Sequence, residues 1–327
     1  MKMKRSLTAV LALAALGSMA LTPVAQAQQY PSKPVRMLIP SPAGGGTDIL
    51  GRVLRDGFAD ALGQPVIVDN RGGASGRIAA AFTAKAAPDG YTLLFTYGGV
   101  LTTGLPLFKD VPYHPIRDFT PIAMMCHVPT MLVAHPTFPA KSVQELIAMA
   151  KAKPGAITAG ASSLGSSSHL NMELFKQMAG IDMLTVAFNG DAGAMQALLG
   201  NQVPFAFNNL VVALPHLQSG KLKPLGMATA QRLAEMPDVP TIAESGVPGY
   251  EGLLFYGLVG PGKLPPAIVS RLHETMQKVK QLPETKAQMT RLGAVSLDMT
   301  SAQFGEYIQK ELAKWTKVIQ AGNIKAE

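Results

Sequence analysis

Twice in this chain a short apolar run breaks into a turn of glycine or serine and resumes at once as a helix. That pattern restricts the fold more than any other feature. Val35 to Ile39 ends at Pro40 and reads as a strand. Ser41-Pro42-Ala43-Gly44-Gly45-Gly46-Thr47-Asp48 follows, and then Ile49, Leu50, Val53, Leu54, Phe58, Ala61 and Leu62 recur at helical spacing until Gly63. The second instance runs from a strand at Ile157 to Gly160 through Ala161-Ser162-Ser163-Leu164-Gly165-Ser166-Ser167-Ser168. It continues into a helix over His169 to Ala179, with Leu170, Leu174 and Met178 on one face. Between and after them come a strand at Val66 to Val68, a loop at Gly72 to Gly76, a helix over Ile78 to Ala87 and strands at Thr92 to Thr96 and Met131 to Ala134. Ser142 caps a helix through Lys151, with Glu145 placed as in a capping box. Val203 to Phe207 and Leu225 to Thr229 are further strands. Repeated strand, loop and helix predict an α/β chain built on parallel, doubly wound sheets. Two amphipathic helices complete it, one using Ile268, Leu272, Met276 and Val279, the other Phe304, Ile308, Leu312, Trp315 and Ile319.

Composition narrows the class. At 327 residues the chain has length for about two domains of ~150 residues. Its 47% hydrophobic and 15% charged residues exclude intrinsic disorder. Lys2, Lys4 and Arg5, the apolar run Leu7 to Leu21 and the small residues of Ala25-Gln26-Ala27 form a secretory signal, with cleavage expected after Ala27. Its removal takes three positive charges from the formal +8. The expected mature protein is exported and soluble. Its remaining Lys and Arg are scattered, with no aromatic-basic cluster, so nucleic acid is not an expected partner. The lone Cys126 excludes an intramolecular disulfide, and its apolar neighbours mark it as core. His114, His127, His135, His169, His216 and His273 show no metal-ligand spacing, and neither metal nor cofactor is expected.

The two turns carry the chemistry. The first N–H groups of a helix lack intrahelical partners, and the helix dipole adds partial positive charge there. Gly44, Gly45, Gly46 and the amides of Thr47 and Asp48 could thus cradle a carboxylate. Ser162, Ser163, Ser166 and Ser167 could do so from the other turn, adding hydroxyl donors. Each hydrogen bond to a charged group contributes roughly 1.5–3 kcal/mol, so three or four hold a small anion without an arginine. Competing motifs fail. Ile49 stands where a dinucleotide fingerprint needs its third glycine, no Gly-Lys-Ser/Thr marks a P-loop, and Gly160 to Gly165 is one residue too long for a nucleophile elbow. The alternative is a secreted serine hydrolase using Ser163 or Ser166 with His169, which requires that histidine to act as an oriented general base.

Several stretches, in order, complete the reading: Tyr30-Pro31-Ser32-Lys33-Pro34, Pro40 to Asp48, Leu62-Gly63-Gln64-Pro65-Val66, Asp69-Asn70-Arg71 and Ala87-Pro88-Asp89-Gly90-Tyr91-Thr92-Leu93. Ser168-His169-Leu170 with Glu173-Leu174-Phe175, Phe207-Asn208-Asn209, Leu214-Pro215-His216, Pro237-Asp238-Val239-Pro240-Thr241 with Glu244, and Tyr256-Gly257-Leu258-Val259 follow. Through these the chain closely resembles the Bug family, the periplasmic solute-binding receptors of tripartite tricarboxylate transporters. The resemblance implies a two-lobed, Venus-flytrap fold, each lobe a doubly wound sheet flanked by helices. Lobe 1 is expected over 28–126 and 250–327, lobe 2 over 127–249. It implies a small carboxylate held in the interlobe cleft mainly by backbone amides and waters. Carried over position by position, the site is Ser41, Pro42, Ala43, Gly44, Gly45, Thr47 and Asp48, then Thr96, Tyr97 and Gly98, then Ser162, Ser163, Ser166, Ser167 and His169, then Phe188, Asn189, Gly190, Asp191 and Asn208.

Departures from the family's pattern bear on the ligand. Ser41 stands where relatives usually carry an aromatic residue, and Gly72 replaces a common proline. Phe188-Asn189-Gly190-Asp191 differs from the usual Tyr-Lys-Gly with a small residue after it. As an acceptor, Asp191 would favour an amino or hydroxy acid; the alternative is a helix N-cap. Asn208 replaces a usual aspartate, and Tyr97 is placed to wall the pocket. The resemblance further implies capture by lobe closure, no covalent chemistry, and recognition of the closed form by large and small membrane subunits of the transporter. A monomer fits such a receptor. A sensor presenting the closed form to a signalling protein is the other alternative.

Overall fold

The structure is a computed structural model; it describes residues 30–322, apart from 234, together with 324. The expected signal segment over 1–27 lies outside the described residues. In chain order the elements are β1 (Val35–Ile39), α1 (Gly46–Leu62), β2 (Val66–Asn70), α2 (Arg77–Ala84), β3 (Thr92–Tyr97), α3 (Gly98–Thr102), α4 (Gly104–Leu107) and the long β4 (Phe119–Ala134). There follow α5 (Val143–Ala152), β5 (Thr158–Ala161), α6 (Ser167–Ala179), β6 (Leu184–Ala187), α7 (Gly190–Leu199), β7 (Phe205–Asn209), α8 (Leu210–Gln218) and β8 (Lys223–Met227). The chain finishes with β9 (Leu253–Pro261), α9 (Pro266–Gln281), α10 (Pro283–Arg291), β10 (Val295–Ser296) and α11 (Ser301–Ala321).

The strand order is β2-β1-β3-β9-β4-β7-β5-β6, with β8 and β10 also on β4. Two lobes result because β4 and β9 run between them. Up to Pro129, β4 pairs with β9; from Thr130 it pairs with β7 and β8. The sheets are therefore mixed, not purely parallel as the alternation predicted. A chain that leaves one lobe along β4 and returns along β9 runs in opposite directions in neighbouring strands, which makes that pair antiparallel. The parallel character survives at the outer strands, β1 with β2 and β3, and β5 with β6 and β7. Only the last four residues of β4 read as strand in the sequence. Pro121 and Pro129 interrupt the earlier run, and the ladder absorbs register shifts beside Pro121 and before Cys126.

Alternation along the central strands builds a core on each face of lobe 1. Met37, Leu93 and Phe95 pack with Leu50, Leu54 and Phe58 of α1 and with Leu272 and Met276 of α9. Their neighbours Leu38 and Leu94 face the other way, onto Ala79 and Ala80 of α2 and Phe304 and Ile308 of α11. In lobe 2 the rings of Phe175, Phe207 and Tyr250 form the centre, the last two stacked at 6.0 Å. The C-terminal helix α11 starts with a capping box of Thr300 and Gln303. It reaches both lobes: Phe304 and Ile308 belong to the lobe 1 core, whereas Trp315 and Ile319 pack on Leu170 of α6.

Candidate functional site

Three strand-to-helix junctions converge between the lobes. The first is the turn from β1 into α1. Gly45 holds the N-cap position with no side-chain cap, so the leading N–H groups of α1 face outward from the helix end. Asp48 fixes this turn from behind: its Oδ2 accepts from the Gly44 N–H at 2.9 Å, and its carboxylate takes Arg52 Nε at 2.9 Å and Asn70 Nδ2 at 3.0 Å. Burial works against that charge, but Arg52, the Gly44 N–H and Asn70 outweigh it and hold the Asp48 carboxyl below its ordinary range.

The second junction is the serine turn from β5 into α6, and most of its polar groups serve the turn itself. Ser168 Oγ accepts from the Ser162 N–H at 2.7 Å, and Ser166 Oγ donates to the Ser163 carbonyl at 2.6 Å while capping the His169 N–H. Beside it lies the start of α7. The Gly190 N–H donates to the Ser162 carbonyl at 2.7 Å. Gly190 has φ +81°, and a Cβ there would stand 3.1 Å from Pro42 Cδ of the opposite lobe.

The third junction, Gly73 to Arg77, carries the same glycine-rich signature between strand and helix, in the stretch expected only as a loop. Ser75 Oγ donates to the Leu164 carbonyl across the cleft at 2.6 Å, and Tyr97 Oη donates to the Ser75 carbonyl at 3.0 Å. Thr103 Oγ1 donates to the Gly165 carbonyl at 2.9 Å, and the Gly46 N–H reaches Asp191 Oδ2 at 3.2 Å. The Ser75, Thr103 and Gly46 bonds join lobe to lobe. At Gly46 the approach is so close that a Cβ would lie 2.8 Å from Asn209 Nδ2 and 2.9 Å from Tyr256 Oη.

The junctions enclose a cavity of about 480 Å³. Of the residues expected in the site, Ser41, Pro42, Thr47, Tyr97, Ser162, Ser163, Ser166, Ser167, Phe188, Asn189, Gly190 and Asp191 line it. Ala43, Gly44, Gly45, Asp48, Thr96, Gly98, His169 and Asn208 do not. Ala43 and Gly44 lie on the outer side of their turn, and Asp48 points back to Arg52. Thr96 is fully buried in β3, and Gly98 is backed by the Phe255 ring, which a Cβ would meet at 2.5 Å. Consecutive strand residues face opposite sides, so the cavity receives Asn209, not Asn208. Asn209 Oδ1 caps α8 through the Val212 N–H, and its Nδ2 donates to Asp191 Oδ2 at 2.8 Å.

Not expected from the sequence are the lining residues Thr130 on β4, Leu254 and Tyr256 on β9, and Arg77. Arg77 and Asp191 are the only charged side chains among the described lining residues. Arg77 Nε donates to the Ala74 carbonyl at 2.9 Å, and its guanidinium lies 3.7 Å from the centre of the Phe108 ring. Arg52 and Arg71, by contrast, are committed to Asp48 and Asp69 outside the cavity. Withdrawal from water pushes the Asp191 carboxyl above its ordinary range, against the pull of the Gly46 N–H, Ser162 and Asn209. Ser41 Oγ is buried at the cavity wall with no protein partner among the described residues.

The geometry does not assemble a nucleophile and base. His169 Nδ1 accepts from the Gly165 N–H at 3.1 Å, and Nε2 lies 3.9 Å from Glu173 Oε1. Both ring nitrogens therefore face groups other than the Ser163 and Ser166 hydroxyls, and burial lowers the pKa of the ring. Among the described residues no group of three or more His, Cys, Asp or Glu could hold a metal ion, and no helix is long and apolar enough to cross a membrane.

Known proteins share both the sequence and this architecture. Residues 50–324 match the family described as the tripartite tricarboxylate transporter family receptor, TctC. Protein BugT of Bordetella pertussis is 35% identical over 295 residues, covering 90% of each chain. Among solved structures, Rpa4515 of R. palustris with adipate superposes with a TM-score of 0.88 at 33% identity, covering 90% of this chain and 99% of that one. MatC of Rhodopseudomonas palustris with bound malate gives 0.85 at 31% identity, covering 89% and 100%. With the family matched along most of its length and a cleft between two α/β lobes, the chain belongs to the TctC or Bug family and is a periplasmic solute-binding receptor of the tripartite tricarboxylate transporter type, not an enzyme.

Proposed function

We propose that this receptor captures a small carboxylate in the interlobe cavity, holds it without altering it, and presents the closed form to the large and small membrane subunits of a transporter. The observation that carries this reading is the cavity itself. Its walls are the ends of three strand-to-helix junctions, and about 480 Å³ suits a small organic acid. The Thr47 N–H at the start of α1 has no acceptor among the described residues, and the Ser41 hydroxyl is likewise free beside it. These groups, with Ser163 and Ser167 of the serine turn, Asn189 and the Arg77 guanidinium, are the proposed ligand contacts. The adipate and malate bound by the two R. palustris proteins support the ligand class. Closure follows from binding because a ligand touching both lobes has its full set of contacts only when they meet. Export with cleavage after Ala27 and action as a monomer complete the proposal.

Thermal melts of the purified protein across a library of small carboxylates test it. A true ligand raises stability by about 2.7 kcal/mol at one hundred times its Kd. The reading fails if no acid shifts the melt while esters are turned over or neutral solutes stabilise instead.

A further inference from the structure

Among the described lining residues one side chain, Asp191, is acidic, and its position is unusual. Asp191 projects from the start of α7 in lobe 2, yet its Oδ2 accepts from the Gly46 N–H in the first turn of α1 in lobe 1, at 3.2 Å. Asn209 Nδ2 holds the same oxygen at 2.8 Å. A carboxylate of the protein therefore occupies a main-chain donor at a helix N-terminus, the kind of place that attracts a carboxylate of a ligand. Close packing of the two lobes fixes it there: the Asp191 Cβ lies 3.9 Å from where a Cβ on Gly45 would stand, and Gly190 abuts Pro42. The sequence reading made Asp191 an acceptor for a ligand hydroxyl or ammonium, or an N-cap. The N-cap position belongs to Asn189, and Oδ2 is already committed to Gly46 and Asn209.

Granting that the cavity binds a small carboxylate, we propose that Asp191 is a specificity-determining residue that restricts the receptor to acids with a single carboxylate. It takes the Gly46 N–H from the opposite lobe and places a like charge against any second ligand carboxylate. The balance of charge in the cavity points the same way. Arg77 is the one cationic lining side chain among the described residues, and it stands on the Gly73–Arg77 turn against Phe108, a different junction from the two that make the Gly46–Asp191 contact. A monocarboxylate places its charge toward Arg77 and its uncharged end toward Asp191. A dicarboxylate of the same length must bring its second charge against Asp191 or displace it from Gly46. Like-charge juxtaposition in a desolvated site is strongly unfavourable.

The test is calorimetric titration of the full chain with matched pairs of acids: a monocarboxylic acid and the dicarboxylic acid of the same chain length, hexanoic with adipic acid and neighbours on either side, each also as its 2-hydroxy form. The wild type is expected to bind the monoacid about ten-fold or more tightly than its diacid at each length that binds. Asp191→Gly, which frees the Gly46 N–H, brings the diacid to within about three-fold of the monoacid or past it. Asp191→Asn, which keeps the shape and removes the charge, narrows the gap in the same direction and guards against a glycine variant that fails to fold. A wild type that binds diacids as tightly as monoacids overturns the inference and leaves the carboxylate reading standing. Unchanged ratios in well-folded variants also overturn it alone. Silence from every acid in both series overturns the carboxylate reading, and this inference with it.

Discussion

Single residues decide more of this site than their types announce. Asn208 and Asn209 are adjacent and chemically identical, yet only Asn209 reaches the cavity and Asp191, because strand alternation sends its neighbour into the core. The family resemblance names Asn208 for the site; which member faces the cavity depends on the register of β7 against β4, Thr130 with Asn209. Arg77 was equally hard to find. It is one of many scattered basic residues, and only the fold of the Gly73–Arg77 turn directs it into the cavity. His127 gives the residue-scale prediction. It sits on β4 with Nε2 3.0 Å from Tyr307 Oη, and burial lowers its pKa to about 4. The unfolded chain, with an ordinary histidine near ~6.5, binds more protons between those values. Stability from the neutral ring is therefore complete above pH ~6.5 and is lost as pH falls toward 4, by on the order of 2–3 kcal/mol. Urea midpoints should fall across that interval, and His127→Gln should flatten the fall. A wild-type midpoint that rises toward pH 4, or a variant with the same slope, would contradict it.

At the scale of elements, the helices with strong apolar stripes were legible. α1, α9 and α11 stand where their spacing places them, because periodicity survives any tertiary context that buries one face. β4 was mostly illegible. Its prolines read as breaks, whereas in the fold Pro121 stands beside a register shift and Pro129 ends the pairing with β9, in a strand that serves both sheets. Phe188 to Asp191, expected in the site through the family resemblance, stand at the entry of α7, with Asn189 at its N-cap and Asp191 in its first turn. The short helices α3 and α4 matter through their junction. The single Thr103 hydroxyl hydrogen is shared between the Gly99 carbonyl and, across the cleft, the Gly165 carbonyl at 2.9 Å, yet Thr103 stands outside the cavity lining. A net ~1 kcal/mol for that bond is about five-fold in the closed population. Thr103→Val should thus weaken carboxylate affinity by about that factor without touching the ligand. Unchanged affinity in calorimetry would show that this contact does not hold the closed form.

For the whole molecule, the sequence and its family resemblance conveyed two lobes and a cleft, but not how they meet. The seam is a set of direct bonds: Gly46 to Asp191, Ser75 to Leu164 and Thr103 to Gly165. α11 lies across both lobes with Trp315 near Leu170. Such contacts join residues more than 60 positions apart, and no local pattern encodes them. Together these bonds hold the two lobes against each other around the cavity. The most direct test follows a ¹³C-carboxyl-labelled acid, taken from the library, by NMR in the presence of the protein. Reversible capture predicts a distinct bound carboxyl resonance that saturates at one acid per chain and returns as unaltered acid when unlabelled acid is added. A labelled carboxyl that moves irreversibly to a product shift, or one that never leaves its free position at saturating protein, would contradict it.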